Sequence, residues 1–291
     1  MHFIIFACMN DECFICQLKA LEKRLEKYEI PLKKRTPLVS EFLQKISTID
    51  FEKSYSPEFT SNILNLLKKS SEVEDPYLPE KTTGNHEMQA RYGEFKKMVW
   101  QSVNPFDTAL RLAVAGNIID FGPTDIFDVE ATIEKVLKSD FAINHSEQLR
   151  QKIENAETIL YLGDNAGEIV MDKLFLETIN HPNVWFAVRA KPVLNDVTIK
   201  EAEEVGIGNV ARIISNGDDA PSTLLHRVSP EFKKIYQKAD LIISKGMGNF
   251  EGLMFETDPR LFFLLMIKCP VIGRKIGAEK GEFVVKHNSA F

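Results

Sequence analysis

The sequence predicts an α/β fold: a Rossmann-like, mostly parallel sheet flanked by helices, preceded by an all-helical N-terminal subdomain. Three observations carry this. Before about residue 155 the apolar residues recur at helical spacing, and no convincing strand interrupts them. From Glu157 onwards, short β-branched runs alternate with helical stretches, the pattern of βαβ units. Residues 158–173, TILYLGDNAGEIVMDK, read as strand, tight turn and helix in direct succession. The expected division is residues 1–155 helical and 156–291 Rossmann-like, with the functional site in the second part.

Taken in order, Phe14, Leu18, Leu21, Leu25 and Tyr28 give a helix over 11–31, which Pro31 ends. Leu38, Phe42 and Ile46 mark a second over 36–49, and Phe59, Ile63 and Leu67 a third over 57–70, with Lys68 and Lys69 suiting its C-terminal dipole. Asp75-Pro76-Tyr77-Leu78-Pro79 breaks the chain. Helices are then expected over 85–100, 107–115, 129–137 and 146–153. In the second part the expected strands are 158–162, 183–189, 210–214, 240–244, 270–273 and 282–286, with helices over 168–180, 196–205 and 228–238. Residues 261–267, strongly apolar and opened by Asp258-Pro259, read as a buried helix with an N-cap and a proline at its first position.

Composition narrows the function classes. At 291 residues, 44% hydrophobic and 27% charged, the chain is an ordinary globular protein. A net charge of −6 argues against a nucleic-acid partner. No apolar run reaches the ~18 residues that span a bilayer, so no membrane partner is expected. The N-terminal MHFIIFACM lacks the basic flank of a signal peptide, and a cytoplasmic protein is the expectation. Four cysteines, Cys8, Cys13, Cys16 and Cys269, are too few for a disulfide scaffold. The Cys13–Cys16 CxxC leaves three readings open: a structural metal or disulfide staple, buried thiols, or a redox pair.

Three turns at strand ends carry the chemistry: Gly163-Asp164-Asn165-Ala166-Gly167-Glu168, residues 191–198 (KPVLNDVT), and Lys245-Gly246-Met247-Gly248-Asn249. Right-handed crossovers put the carboxyl ends of parallel strands on one edge of a sheet, where ligands bind. Asp164, Asn165, Asp196, Lys245 and Asn249 therefore converge if the strands are neighbours. Two carboxylates and an amide oxygen, without His or Cys nearby, favour a hard divalent cation over zinc. Lys245 supplies a charge for phosphate, Gly246 and Gly248 permit close backbone approach, and the helix start after Asn165 adds N–H donors. Glu168 is either a first-turn acid favoured by the helix dipole or a supporting group of the site. Asn117 is a candidate to face the cleft from the helical part. A P-loop and a GxSxG elbow are both missing.

These residues resemble the DUF89 family, the damage-control phosphatases, and within it the smaller archaeal-type members that carry cysteines. The matching pieces are Asp75-Pro76-Tyr77, residues 116–122 (GNIIDFG), 162–173 (LGDNAGEIVMDK), 191–198, and 244–251 (SKGMGNFE), in family order over nearly the whole chain. The resemblance implies a metal-dependent phosphatase acting on small phosphorylated metabolites such as sugar phosphates. It carries metal ligands to Asp164, Asn165 and Asp196. The C-terminal Arg-Thr-x-Lys of larger relatives, whose lysine contacts phosphate, is missing, and Lys245, Lys275 and Lys286 are the candidates for that role. It also makes Cys13, Cys16 and Cys269 a cluster for a structural metal or disulfide, with Cys8 as a fourth member.

The expected enzyme is a phosphoric monoester hydrolase using Mg²⁺, Mn²⁺, Co²⁺ or Ni²⁺. Asp164, Asn165, Asp196 and Lys245 form its centre. Asn117, Asp120, Glu168, Gly246, Gly248 and Asn249 bind the substrate. Water and Asp164 itself are both open as nucleophile. Two other classes fit the pattern: an S-adenosylmethionine-dependent carboxyl methyltransferase, and a non-catalytic metal-dependent phosphometabolite-binding protein. A homo-oligomer is compatible with either.

Overall fold

The computed structural model describes residues 9–50, 54–116 and 129–288, with the side chains of 129–132 outside the description. Three helices come first: α1 (Asp11–Lys27), α2 (Leu32–Ser47) and α3 (Ser56–Ser70). Their apolar stripes bury against one another, with Tyr28, Phe42, Ile63 and Leu67 at the centre. Val193, from a sheet loop far along the chain, is buried among them. Helices α4 (Leu78–Ala90), α5 (Tyr92–Gln101), α6 (Pro105–Gly116), α7 (Val129–Lys138) and α8 (Ser146–Asn155) follow. The Ala/Leu-rich α6 packs on the helix Glu168–Ile179 and the strands Leu261–Met266 and Phe283–His287, and Met88, Phe95 and Val99 share the same core.

The sheet holds β1 (Ile143–Asn144), β2 (Ile159–Leu162), β3 (Val184–Val188), β4 (Arg212–Ser215), β5 (Leu241–Lys245), β6 (Leu261–Met266) and β7 (Phe283–His287), in the order β1-β7-β6-β5-β2-β3-β4. β2 to β6 are parallel, and β7 runs antiparallel to β6. The connecting helices are α9 (Glu168–Ile179), α10 (Ile199–Val205), α11 (Pro230–Lys238), α12 (Gly246–Leu253) and α13 (Pro270–Ile276). The chain moves outward one way from β2 to β3 and β4, and the other way through β5 and β6. The switch point lies between β2 and β5, whose carboxyl ends border the crevice where ligands of open α/β sheets bind.

Alternation along each strand explains the two-sided core. Ile159 and Tyr161 of β2 face one layer, and Leu160 and Leu162 the other. β6 repeats this, with Phe262 and Leu264 on one side and Leu261, Phe263 and Leu265 on the other. The same fact corrects the expectation for 261–267, which is a central strand and not a helix. A strand apolar on both faces reads as a continuous apolar run and has no period to betray it. Asp258 does not cap a helix there; its carboxylate accepts from the Arg260 backbone and side chain and tightens the turn into β6. Residues 270–273 are the opposite correction: Pro270 opens α13, and Gly277, at φ 83°, ends it. Residues 246–253 form a helix directly after β5, where a turn was expected. The two-residue edge strand β1 was too short to read.

One buried ion cluster ties α4 to the sheet loops. The Lys81 ammonium is fully buried, 2.6 Å from Asp75 and 2.8 Å from Glu201. Glu201 also closes the capping box of α10 by accepting from the Thr198 N–H at 2.8 Å. Removing the cation leaves the buried Glu201 and the partly buried Asp75 facing each other without it. Lys81→Met is expected to destabilise the fold by about 3–5 kcal/mol, read from the urea unfolding midpoint; a shift below about 1 kcal/mol would show that the carboxylates find other partners.

Candidate active site

The site begins where β2 and β3 end, because their pairing continues into the loops. Gly163 N–H donates to Ala187 O at 3.0 Å, Val197 N–H to Asp164 O at 2.9 Å, and Ala166 N–H to Asn195 O at 2.9 Å. Asn165 and Asp196 form an antiparallel bridge. Gly163 is required at this crossing: a Cβ there would sit 2.7 Å from the Phe186 ring. The loop 189–198 doubles back through Leu194, at φ 47°, with Asp196 N–H donating to Val193 O at 3.1 Å. Asp164, Asn165 and Asp196 are thus brought side by side from turns some thirty residues apart, as expected.

Asp164 and Asp196 are buried and Asn165 half-buried. Arg189, the last residue of the β3 run and itself buried, lies between the acids: its Nε donates to Asp196 Oδ2 at 2.7 Å, and its Nη2 is 3.8 Å from Asp164 Oδ1. One guanidinium does not balance the cluster. Burial, then the Asp196 and Glu168 charges, hold the Asp164 carboxyl well above the usual range, against Arg189 and Lys268. Burial also raises Asp196, with Arg189 opposing. Hard oxygen donors carrying excess negative charge out of water are suited to a divalent cation, so the residues fit the metal that the sequence implies.

Lys245 does not face the crevice. It is fully buried and ion-paired to Glu168 and Asp172, and Asp172 also accepts from the Tyr161 hydroxyl at 2.7 Å. Burial pushes Asp172 up to about 7 even beside this lysine. Asn249 is equally occupied. Its amide donates to Gly163 O at 3.1 Å and Lys245 O at 2.8 Å, and its oxygen accepts from Arg189 at 3.1 Å and Thr223 at 2.9 Å. Its capacity is full, which makes it a brace between β2, β5 and Arg189 rather than a substrate contact. Gly248 serves packing: a Cβ would meet Pro221 O at 2.3 Å. Gly246 supplies a φ of 76° at the start of α12. Glu168 is fully buried, between Lys245 and Asn165, and has no surface for a substrate.

The expected anion-binding helix start, that of α9, has its N–H groups engaged. At the start of α9, Gly167 N–H donates to Asn85 Oδ1 at 2.6 Å and Ile169 N–H to Asn165 O at 3.2 Å. The open helix start is that of α12, where Met247 and Gly248 are half-exposed and first-turn N–H groups have no intrahelical acceptor. Beside it stands Lys268, half-buried just past β6, whose N–H donates to Met247 Sδ at 3.2 Å and whose charge reaches Asp164. Arg189 and Asn85 carry no site role in the sequence reading, and Lys268 enters it only within Lys268-Cys269-Pro270, a piece that resembles the family. A single arginine closing an apolar strand was the available signal for the first. Lys268 was hidden by reading 261–267 as a helix. Asn117, Asp120 and Cys8 lie outside the described residues. Cys13, Cys16 and Cys269 are free thiols; Glu12–Arg274 pairs α1 with α13 beside them, and burial pushes the Cys13 thiol up. Among the described residues no group of three His, Cys, Asp or Glu side chains is placed to hold a metal.

Residues 9–284 match the family described as the damage-control phosphatase ARMT1-like domain. The chain is 31% identical over 287 residues to a damage-control phosphatase of Pyrococcus horikoshii, covering 95% of this chain and 97% of that one. It is 32% identical over 221 residues to a damage-control phosphatase of Archaeoglobus fulgidus, covering 74% and 76%. The crystal structure of a DUF89 family protein from Pyrococcus horikoshii superimposes with a TM-score of 0.88 at 30% identity, over 97% of this chain and 99% of that one.

The charge balance has a measurable consequence. A carboxyl whose value is raised on folding contributes stability at pH below its unfolded value and loses it as pH rises through the folded one. In EDTA, Asp164→Asn should therefore gain melting temperature relative to wild type as pH goes from about 5 to about 8. Parallel melting curves for the two proteins across that range would show that Asp164 carries no such burden.

Proposed function

The chain belongs to the damage-control phosphatase ARMT1-like family, and from that premise we propose that it is a divalent-metal-dependent phosphatase hydrolysing phosphomonoesters of small metabolites, such as sugar phosphates or related damaged phosphometabolites. The observation that carries this reading is the meeting of Asp164, Asn165 and Asp196 at the carboxyl ends of β2 and β3, with Lys268 and the start of α12 following the neighbouring β6 and β5. Names given to relatives support the phosphatase class; the metal and substrate are the reading of this site.

Asp164, Asn165 and Asp196 are the residues that would hold the cation. When bound it supplies charge neutralisation for a phosphoryl group and polarises its oxygens. Arg189 keeps the two carboxylates oriented and is itself fixed by Asn249 and Thr223, so the donor set is organised before substrate arrives. Lys268 and the Met247 and Gly248 N–H groups would take the remaining phosphate oxygens, with the helix start favouring negative charge. Burial of the carboxylates excludes water from all but the crevice side.

Metal content and phosphate release from a small panel of sugar phosphates, with Mg²⁺, Mn²⁺, Co²⁺ or Ni²⁺, test the reading. Asp164→Ala should lower kcat/KM by at least ~10³-fold, and Lys268→Met by ~10²-fold or more. Lys268→Met at full activity would remove it from the phosphate site, and a fully active Asp164→Ala would remove the centre. Binding of sugar phosphates without phosphate release would favour a binding protein, and tight S-adenosylmethionine binding without metal a methyltransferase.

A further inference from the structure

The unit formed by Lys245, Glu168 and Asp172 has no access to substrate, yet it buries three charges beside the metal-binding turn. All three side chains are essentially unexposed. Lys245 reaches one Glu168 oxygen and Asp172; the Tyr161 hydroxyl holds Asp172 from the other side. The second Glu168 oxygen faces Asn165, accepting from Nδ2 at 3.4 Å, and the same Nδ2 donates to Asp164 Oδ2 at 2.9 Å.

An asparagine amide can present its oxygen or its nitrogen to a cation, and only the oxygen binds. Ionised carboxylates accept hydrogen bonds and do not donate them. With oxygens of Asp164 and Glu168 both within reach of Asn165 Nδ2, the NH₂ group faces them and Oδ1 faces away. Lys245 donates only, so it commits one Glu168 oxygen as an acceptor and leaves the second facing Asn165. We propose that Lys245 and Glu168, braced by Asp172 and Tyr161, are positioning residues that fix the amide orientation of Asn165 and so turn its oxygen toward the cation site. This inference rests on the metal-dependent reading above. It gives Lys245 a role in which it never touches phosphate.

The test exploits the chemistry of the amide. In Glu168→Gln the new side chain must turn its oxygen to Lys245, which leaves its NH₂ against the Asn165 NH₂. The clash is relieved when Asn165 turns over and offers nitrogen to the metal. In the double variant Glu168→Gln/Lys245→Met that requirement is gone, and the new amide can turn its oxygen back to Asn165. Mn²⁺ affinity is measured by titration calorimetry, with circular dichroism confirming the fold. Glu168→Gln should weaken Mn²⁺ binding by ~10- to 100-fold, and the double variant should recover ~10-fold of that loss. A purely structural role predicts the reverse order, with the double variant the worse of the two. Wild-type affinity in folded Glu168→Gln, or a folded double variant binding no more tightly than the single one, would overturn the inference and leave the metal centre standing. Absence of Mn²⁺ binding in the wild-type protein would overturn the metal centre itself and the inference with it.

Discussion

The architecture depends on holding two aspartates next to each other out of water. Like charges at such a distance repel, and each pays a desolvation penalty as well. The chain meets this constraint with backbone rather than with more charge. β2 and β3 continue pairing beyond their ends, so the Asp164 carbonyl accepts from Val197 N–H while the side chains are carried along. Arg189 gives partial compensation, and its position is over-determined by Asp196, Asn249 and Thr223. The repulsion left over is what a bound divalent cation would relieve.

A second buried set lies just beneath, with the same formal ratio of one cation to two carboxylates. Lys245 answers Glu168 and Asp172 at zero exposure, where an unpaired ammonium would be forbidding. The lysine at the end of β5 thus belongs to the interior even though it stands at a strand's carboxyl end. Position along a strand says which edge of the sheet a residue reaches. It does not say whether the side chain continues into the crevice or folds under the next helix. Here Asp172, one turn into α9, decides the matter by offering a second carboxylate on the inner side.

That distinction marks what could be read from the sequence. The strand-turn-helix at Ile159–Ile179, the parallel alternation after it, and the meeting of Asp164, Asn165 and Asp196 were legible because each leaves a local signature: an apolar run, a turn residue, a helical period. β6 was not, because a strand buried on both faces carries no period, and Pro259 mimicked a helix start. α13 was missed for the complementary reason, since two turns beginning Pro-Val-Ile look like a strand. The partners of Lys245 and Asn249 were illegible in kind. Asp172 and Thr223 are distant in sequence or unremarkable in it, and only the packed chain shows that they use up those side chains. The glycines of 246–248 were legible as special but not in purpose, because the constraint on Gly248 is the Pro221 carbonyl from another loop.

The helical part holds the acidic loops at three points. Lys68 of α3 donates to Pro192 O at 2.6 Å, and the next residue, Val193, is buried among α1–α3. Asn85 of α4 accepts from Gly167 N–H at the head of α9, and Lys81, one turn earlier on the same helix, pairs with Glu201 at the head of α10. One face of α4 therefore reaches both the loop after β2 and the helix after the loop of β3. Two loops from separate strands can be held in register by their own pairing, but that pairing is short. Gripping each from the same helix makes their relative position a property of the α4 surface, which is rigid over a single turn. The helical part is then part of what shapes the site: it stiffens the geometry that sets Asp164 beside Asp196.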